Sequence, residues 1–232
     1  MIKLRSFQIA LFVGVLNLEN KLKLASDIIS ASEKLLEGDP TILPIPPDAP
    51  PEIPRIITKS KDERYTCNVS LNRIDLFFKP KERNEQSLDI VSGEYLKLLL
   101  NLTSLLRENF KVTITRIGIV ANLLLELSES SNTYVLRKYM KEKGLISETH
   151  EAQIHALNRL TLPNKIKVHR WLRIITSKSA QDSSNDRYLS VTIDINSVPE
   201  IPYDFDRELI QLTFNAAVGH MKNLIKQHYG EV

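Results

Sequence analysis

The run KIKVHRWLRII, residues 165–175, holds the densest set of side chains in this chain that could do chemistry. In an extended segment successive side chains point to opposite faces. Lys165, Lys167, His169, Trp171 and Arg173 then share one face, and Ile166, Val168, Arg170, Leu172 and Ile174 share the other. The first face is basic and carries the chain's single tryptophan at its middle. Cations with an aromatic plate between them can hold phosphates and stack a base. The same face can dock an acidic protein, or be a solvated sheet face whose cations pair with carboxylates from elsewhere. These three readings stay open. The candidate binding set is Lys165, Lys167, His169, Arg170, Trp171, Arg173 and Lys178.

The charge distribution sharpens the point. Net charge is only +3, yet no acidic residue occurs from Ala152 to Gln181, where Arg159, Lys165, Lys167, Arg170, Arg173 and Lys178 all fall. The remainder of the chain is therefore net acidic.

Other constellations are weaker. His150, Glu151 and His155 suggest a zinc helix, but the histidines lie five residues apart, which turns them by roughly 140° on a helix. His220 and His228 have no ligand partner at metal spacing and read as surface residues. Asp194 and Asn196 fall in a strand pattern. Asp204 and Asp206 precede a helix, where one of them caps its start and Glu208 favours its positive end. Paired acid–base carboxylates need one desolvated partner, and no pattern here points to one. There is no G-x-S-x-G, P-loop or G-x-G-x-x-G motif. Seven glycines leave few places for a phosphate cradle. No metal and no cofactor is expected. Cys67 is the only cysteine, so no internal disulfide can form; that fits a reducing compartment.

These side chains need elements to position them. The apolar run Phe7–Leu16 reads as a buried strand, since Gln8 interrupts it and no signal-cleavage pattern follows. No run reaches the roughly 20 apolar residues of a membrane span. A cytoplasmic location and no membrane partner are expected. Asn20 caps a helix predicted to run to about Glu37, with Gly38 as its stop. Seven of the eleven prolines lie in residues 40–54, which predicts an extended, polyproline-like segment crossing one face or edge of a sheet. Its apolar Ile42, Leu43, Ile45 and Ile53 favour packing on its own protein over service as a P-x-x-P ligand. RIITKS and YTCNVSLNRIDLFF read as a hairpin. Helices follow over about Ser92–Asn109, Asn132–Glu142 and Asp206–Tyr229, and strands over Lys111–Leu127, KIKVHRWLRIITSK and RYLSVTIDINSV.

Both halves thus read strand, helix, strand, strand, helix. RIIT recurs at 55–58 and 173–176, and Arg-Tyr at 64–65 and 187–188. The expected architecture is α+β: two tandem β-α-β-β-α repeats, 1–110 and 111–232, forming a mainly antiparallel sheet covered by helices within a single domain of residues 1–232.

The run PPDAPPEIPRIITKSKDERYTCNVSLNRIDLFF, then ITRIGIVANLLLEL and LSVTIDIN before a long final helix, resembles a sporadically distributed group of bacterial proteins. In that group a proline-marked hairpin and an R-x-G-hydrophobic strand precede a "D-I-D/N" strand. The resemblance implies an α+β fold and an accessory role of the defence or toxin–antitoxin kind, and brings no catalytic residues. The expected function is a non-catalytic binding or adaptor protein acting through a protein partner. Wide apolar helix faces would be available for a homodimer interface. The alternatives are a nucleic-acid-binding module using strand 165–173, and an enzyme on a phosphorylated or nucleotide substrate.

Overall fold

A computed structural model of the chain describes residues 2–81, 87–140, 151–176 and 187–229. The elements in order are β1 (Ile2–Val13), α1 (Lys21–Ala31), β2 (Thr41–Ile42), β3 (Ile56–Lys59), β4 (Tyr65–Val69), β5 (Arg73–Phe78), α2 (Leu88–Glu108), β6 (Ile114–Glu126), α3 (Ser131–Val135), β7 (Gln153–Thr161), β8 (Lys167–Thr176), β9 (Tyr188–Ser197) and α4 (Arg207–Tyr229). The fold is α+β. Among the described residues all strands join one nine-stranded sheet, in the order β2-β3-β4-β5-β1-β6-β9-β8-β7. Every neighbouring pair is antiparallel.

Alternation divides each strand between two faces, and among the described residues one face meets the helices. Phe7, Ile9, Leu11 and Val13 of β1 are buried, in register with Ile117, Ile119 and Ala121 of β6 and with Ile74, Leu76 and Phe78 of β5. Phe7 lies 5.8 Å from the Tyr95 ring of α2 and 6.3 Å, edge-on, from Phe214 of α4. In turn α2 packs on α4 and on α1. Tyr139, just beyond α3, donates its hydroxyl to Tyr229 of α4 at 3.1 Å. The helices therefore form one layer on one side of the sheet. Among the described residues no helix is long and apolar enough to cross a membrane.

Several expected boundaries shift for local reasons. Asn20 does cap α1, accepting from the Lys23 N–H at 2.9 Å. The helix stops at Ala31 rather than Glu37. Ser32 directs its hydroxyl to the Ile29 carbonyl and accepts from the Leu36 N–H, and Glu33 and Lys34 adopt positive φ. A serine that bonds the neighbouring backbone competes with helix continuation. Gly38 is not a helix stop. Its N–H donates to Lys59 O at 2.7 Å, and a Cβ there would lie 2.8 Å from that oxygen. The arm YTCNVSLNRIDLFF is two strands, because a turn at Ser70–Asn72 closes with Ser70 bonding Arg73 O through both its N–H and its hydroxyl.

Residues 153–161, to which the sequence pattern assigned no element, form a strand. Around His155 the chain forms the edge strand β7, which the histidine spacing did not reveal; His150 lies outside the described residues. The RIIT and Arg-Tyr matches fall at non-corresponding places. Arg55–Thr58 leads into β3, whereas Arg173–Thr176 closes β8. Tyr65 is buried toward the helices at the start of β4, whereas Tyr188 opens β9 on the other face.

Residues 40–54 are not uniformly extended. Thr41 and Ile42 pair with β3 as a two-residue strand, and turns follow. Arg55, only 3% exposed, holds the tract: its guanidinium donates to the carbonyls of Ile53 at 2.8 Å and Ala49 at 3.3 Å. The tract folds around this buried cation at one edge of the sheet.

Phe7→Ala should lower unfolding free energy by about 3–5 kcal/mol, the usual result of emptying a buried aromatic site. Val15→Ala, at a side chain 80% exposed, should stay within about 0.5 kcal/mol. Urea unfolding of both variants checks this, and equal losses would mean Phe7 is not central to the core.

Candidate nucleic-acid interface

The second face of the sheet meets no described helix. Following the register, it collects Lys3, Ser6, Gln8, Ala10 and Phe12 of β1, and Arg73, Asp75 and Phe77 of β5. From β6 come Arg116, Gly118, Val120 and Asn122, and from β9 Thr192, Asp194 and Asn196. β8 adds Lys167, His169, Trp171 and Arg173.

Of the sequence candidates, Lys167, His169, Trp171 and Arg173 do share this face, as alternation requires. Arg173 lies 5.7 Å from the Trp171 ring centroid. Lys165 precedes the strand, in the hairpin turn, at φ 67°. Arg170 faces the helices, where its guanidinium meets His220 Nε2 of α4 at 2.9 Å. Lys178 lies outside the described residues. Arg159 and His155 of β7 sit opposite His169 and Arg173 and widen the basic face to the sheet edge.

The centre of the face is one that sequence reasoning missed. Arg116 stacks on Phe12, its guanidinium carbon 4.3 Å from the ring centroid, and Arg73 approaches the same ring at 5.2 Å. Arg73 is neutralised by Asp75, at 2.6 Å, which also accepts from Gln8. Among the described residues Arg116 has no such partner, and its buried Nε makes no hydrogen bond. Burial is the first cause that pulls its pKa below the ordinary guanidinium value, with Arg73 adding to it and Glu200 opposing. The signal in sequence was weak but present. Gln8, Ala10 and Phe12 alternate with the buried Phe7, Ile9 and Leu11, so these residues had to face somewhere else.

Asp194 sits between Val120 and Trp171. Burial raises its pKa, against the hydrogen bond from Asn196 and the charge of Arg173. Gly118 makes room for that Asn196: a Cβ there would collide with its Oδ1. Ser6, Asn122 and Thr192 link β1, β6 and β9 by hydrogen bonds of 2.8 and 2.6 Å. The face is thus a polar, cation-rich surface with aromatic rings set into it. Burial pushes the Cys67 thiol up to about 12, so it stays protonated inside the core. Among the described residues no group of three or more His, Cys, Asp or Glu could hold a metal ion.

No protein-family model matches the chain, and no curated protein matches it. Among solved structures it is similar to a rolling circle replication initiator protein from Geobacillus stearothermophilus, with 10% identity over 97% of this chain and 85% of that one, at a TM-score of 0.33. A similarity of that size transfers no activity. The expectation of a non-catalytic adaptor is corrected: the protein found similar is a replication initiator. The apolar helix faces expected to offer a self-interface are consumed by the core instead, as the burial of Leu98, Leu99, Leu102, Phe214, Ala217 and Met221 shows.

The Arg170–His220 contact yields a pH prediction. Burial, then the neighbouring guanidinium, lowers the His220 pKa from 6.5. The unfolded chain therefore binds the proton first, and stability is lost as pH falls below about 6.5. Asp194, shifted upward, contributes with the opposite sign: its share is full below 3.8 and is lost as pH rises through its folded value. Urea midpoints at pH 7.5 and 5.5 should fall more for the native chain than for His220→Gln. Equal falls would sink the assignment.

Proposed function

We propose that the helix-free face of the sheet binds nucleic acid. The observation that carries this reading is Arg116: a guanidinium with no carboxylate at ion-pair distance among the described residues, stacked on Phe12 at the centre of a face whose outer strands add Lys167, Arg173 and Arg159. A guanidinium without a carboxylate partner is available to a phosphate oxygen. Trp171 and Phe77 supply rings for base stacking, which favours a single strand over a duplex. The span also fits: nine strands at about 4.8 Å make a surface roughly 38 Å across, enough for about ten stacked nucleotides.

An internal duplication belongs to this reading. Outward from the central pair, β1 is followed by β5, β4 and β3, and β6 by β9, β8 and β7. Each half ends in a long helix, and those helices, α2 and α4, pack together. The supporting correspondence is therefore one of strand order. It pairs β3 with β7 and β4 with β8, unlike the tetrapeptide matches.

Oligonucleotide binding measured against salt tests the proposal. Phosphate contacts release counterions, so log K should fall with log salt, with a slope near −2 to −4 for a few contacts on a single strand. Replacing Arg116, Lys167 or Arg173 by Ala should each reduce that slope by roughly one unit, and Trp171→Ala should weaken binding about tenfold or more with little change in slope. A slope near zero, or binding unchanged in all four variants, would remove nucleic acid as the ligand of this face.

A further inference from the structure

The two edges of the sheet are built differently. At one end β2 is two residues long and runs into the Pro-rich tract, so it offers almost no ladder. At the other end β7 is nine residues long, QIHALNRLT, with neither proline nor glycine. Its side chains are exposed through most of its length on both faces, including Leu157 at 40%. Among the described residues no strand pairs with its outer side.

The direction of its free backbone groups can be worked out. In an antiparallel pair, residues alternate between those that exchange hydrogen bonds with their partner and those whose N–H and C=O point away. The β7–β8 ladder is bracketed by Thr176 N–H to Ala152 O at 3.1 Å and Leu162 N–H to Ile166 O at 2.9 Å. Both bracketing residues of this arm are even-numbered, and the register between them is unbroken. Ile154, Ala156, Asn158 and Leu160 therefore bond to β8. Gln153, His155, Leu157, Arg159 and Thr161 aim their backbone groups outward, at the open edge.

We propose that β7 pairs with β7 of a second copy, antiparallel and centred on Leu157. In that register Leu157 meets Leu157, Ile154 meets Leu160 and Ala156 meets Asn158. Outward-pointing groups meet outward-pointing groups at every odd position, so the ladder closes without a bulge. Leu157 opposes Leu157 at the centre and Ile154 opposes Leu160 on either side of it, with Gln153 against Thr161 at the two ends and His155 against Arg159 between them; every pair but the central one occurs twice, as a two-fold interface requires. An acidic peptide strand would meet His155 and Arg159 but would leave the exposed Leu157 without an apolar partner.

The two-fold axis stands perpendicular to the sheet. Residues directly opposed across an antiparallel pair point to the same face, so the helix-free faces of both copies become one surface. Arg159 and His155 lie at its middle. The pairing rests on the β7 geometry alone and does not need that surface to bind nucleic acid.

A single strand pair is a small interface, so a dissociation constant in the micromolar range is expected. Sedimentation equilibrium of the full chain, without nucleic acid, reads it directly. Leu157→Lys sets like charges against each other at the axis while leaving the β7–β8 hydrogen bonds in place. It should weaken the dimer at least tenfold with an unchanged urea midpoint. Leu157→Cys should cross-link into a covalent dimer under mild oxidation, because its only companion thiol, Cys67, is buried. Ala156→Cys, facing Asn158 of the second copy, should not. A chain that stays monomeric at about 100 µM overturns the proposal. So does a dimer indifferent to Leu157→Lys, or one cross-linked equally through both cysteines.

Discussion

Phe7 touches α2 through Tyr95 and α4 through Phe214, and it sits on the strand that joins the two halves of the sheet. Once that ring is buried, the facing of β1 from Ser6 to Phe12, between its two register shifts, is set. A strand has a period of two, so Ile9 and Leu11 must also face the helices, and Gln8, Ala10 and Phe12 must face away. Pairing carries the same division outward through β6, β9 and β8 on one side and β5 and β4 on the other. One helix layer is enough to cover one face of this sheet. The opposite face is left to polar, cationic and aromatic side chains.

Parts of that uncovered face are cross-linked by side-chain bonds. Asp75 neutralises Arg73 and orders Gln8, and the Ser6–Asn122–Thr192 bonds tie three strands together. Beside these bonds Arg116 stacks on Phe12 with no carboxylate at ion-pair distance among the described residues. For a half-buried guanidinium, burial outweighs the more distant charge of Glu200. A phosphate oxygen from outside would supply the missing partner.

The edges follow from the same economy of hydrogen bonds. The tract from Pro40 to Pro54 cannot donate at seven of its positions, so it closes the β2 edge rather than extending the sheet. Arg55 compensates by donating to the carbonyls that the turns leave free. At the β7 edge no such device occurs among the described residues, and the backbone groups of its odd-numbered residues point outward.

Composition and local pattern were enough to determine that the chain is α+β, that Asn20 starts a helix, and that Lys167, His169, Trp171 and Arg173 share one face of a strand. Each depends on neighbours within a few residues, where periodicity and capping chemistry act. The existence of β7 was not legible, because LNRLT and IHAL alternate weakly and the strand is exposed on both faces, so burial left no imprint on residue type. Nor was the break of YTCNVSLNRIDLFF at Ser70, which depends on one serine bonding Arg73 O across a turn. The centre of the candidate site lay furthest from view. Phe12, Arg73 and Arg116 are distant in sequence and become one cluster only when β5, β1 and β6 pair in register. Which of two strand faces receives the helices is a property of the whole sheet, and no single strand carries that information.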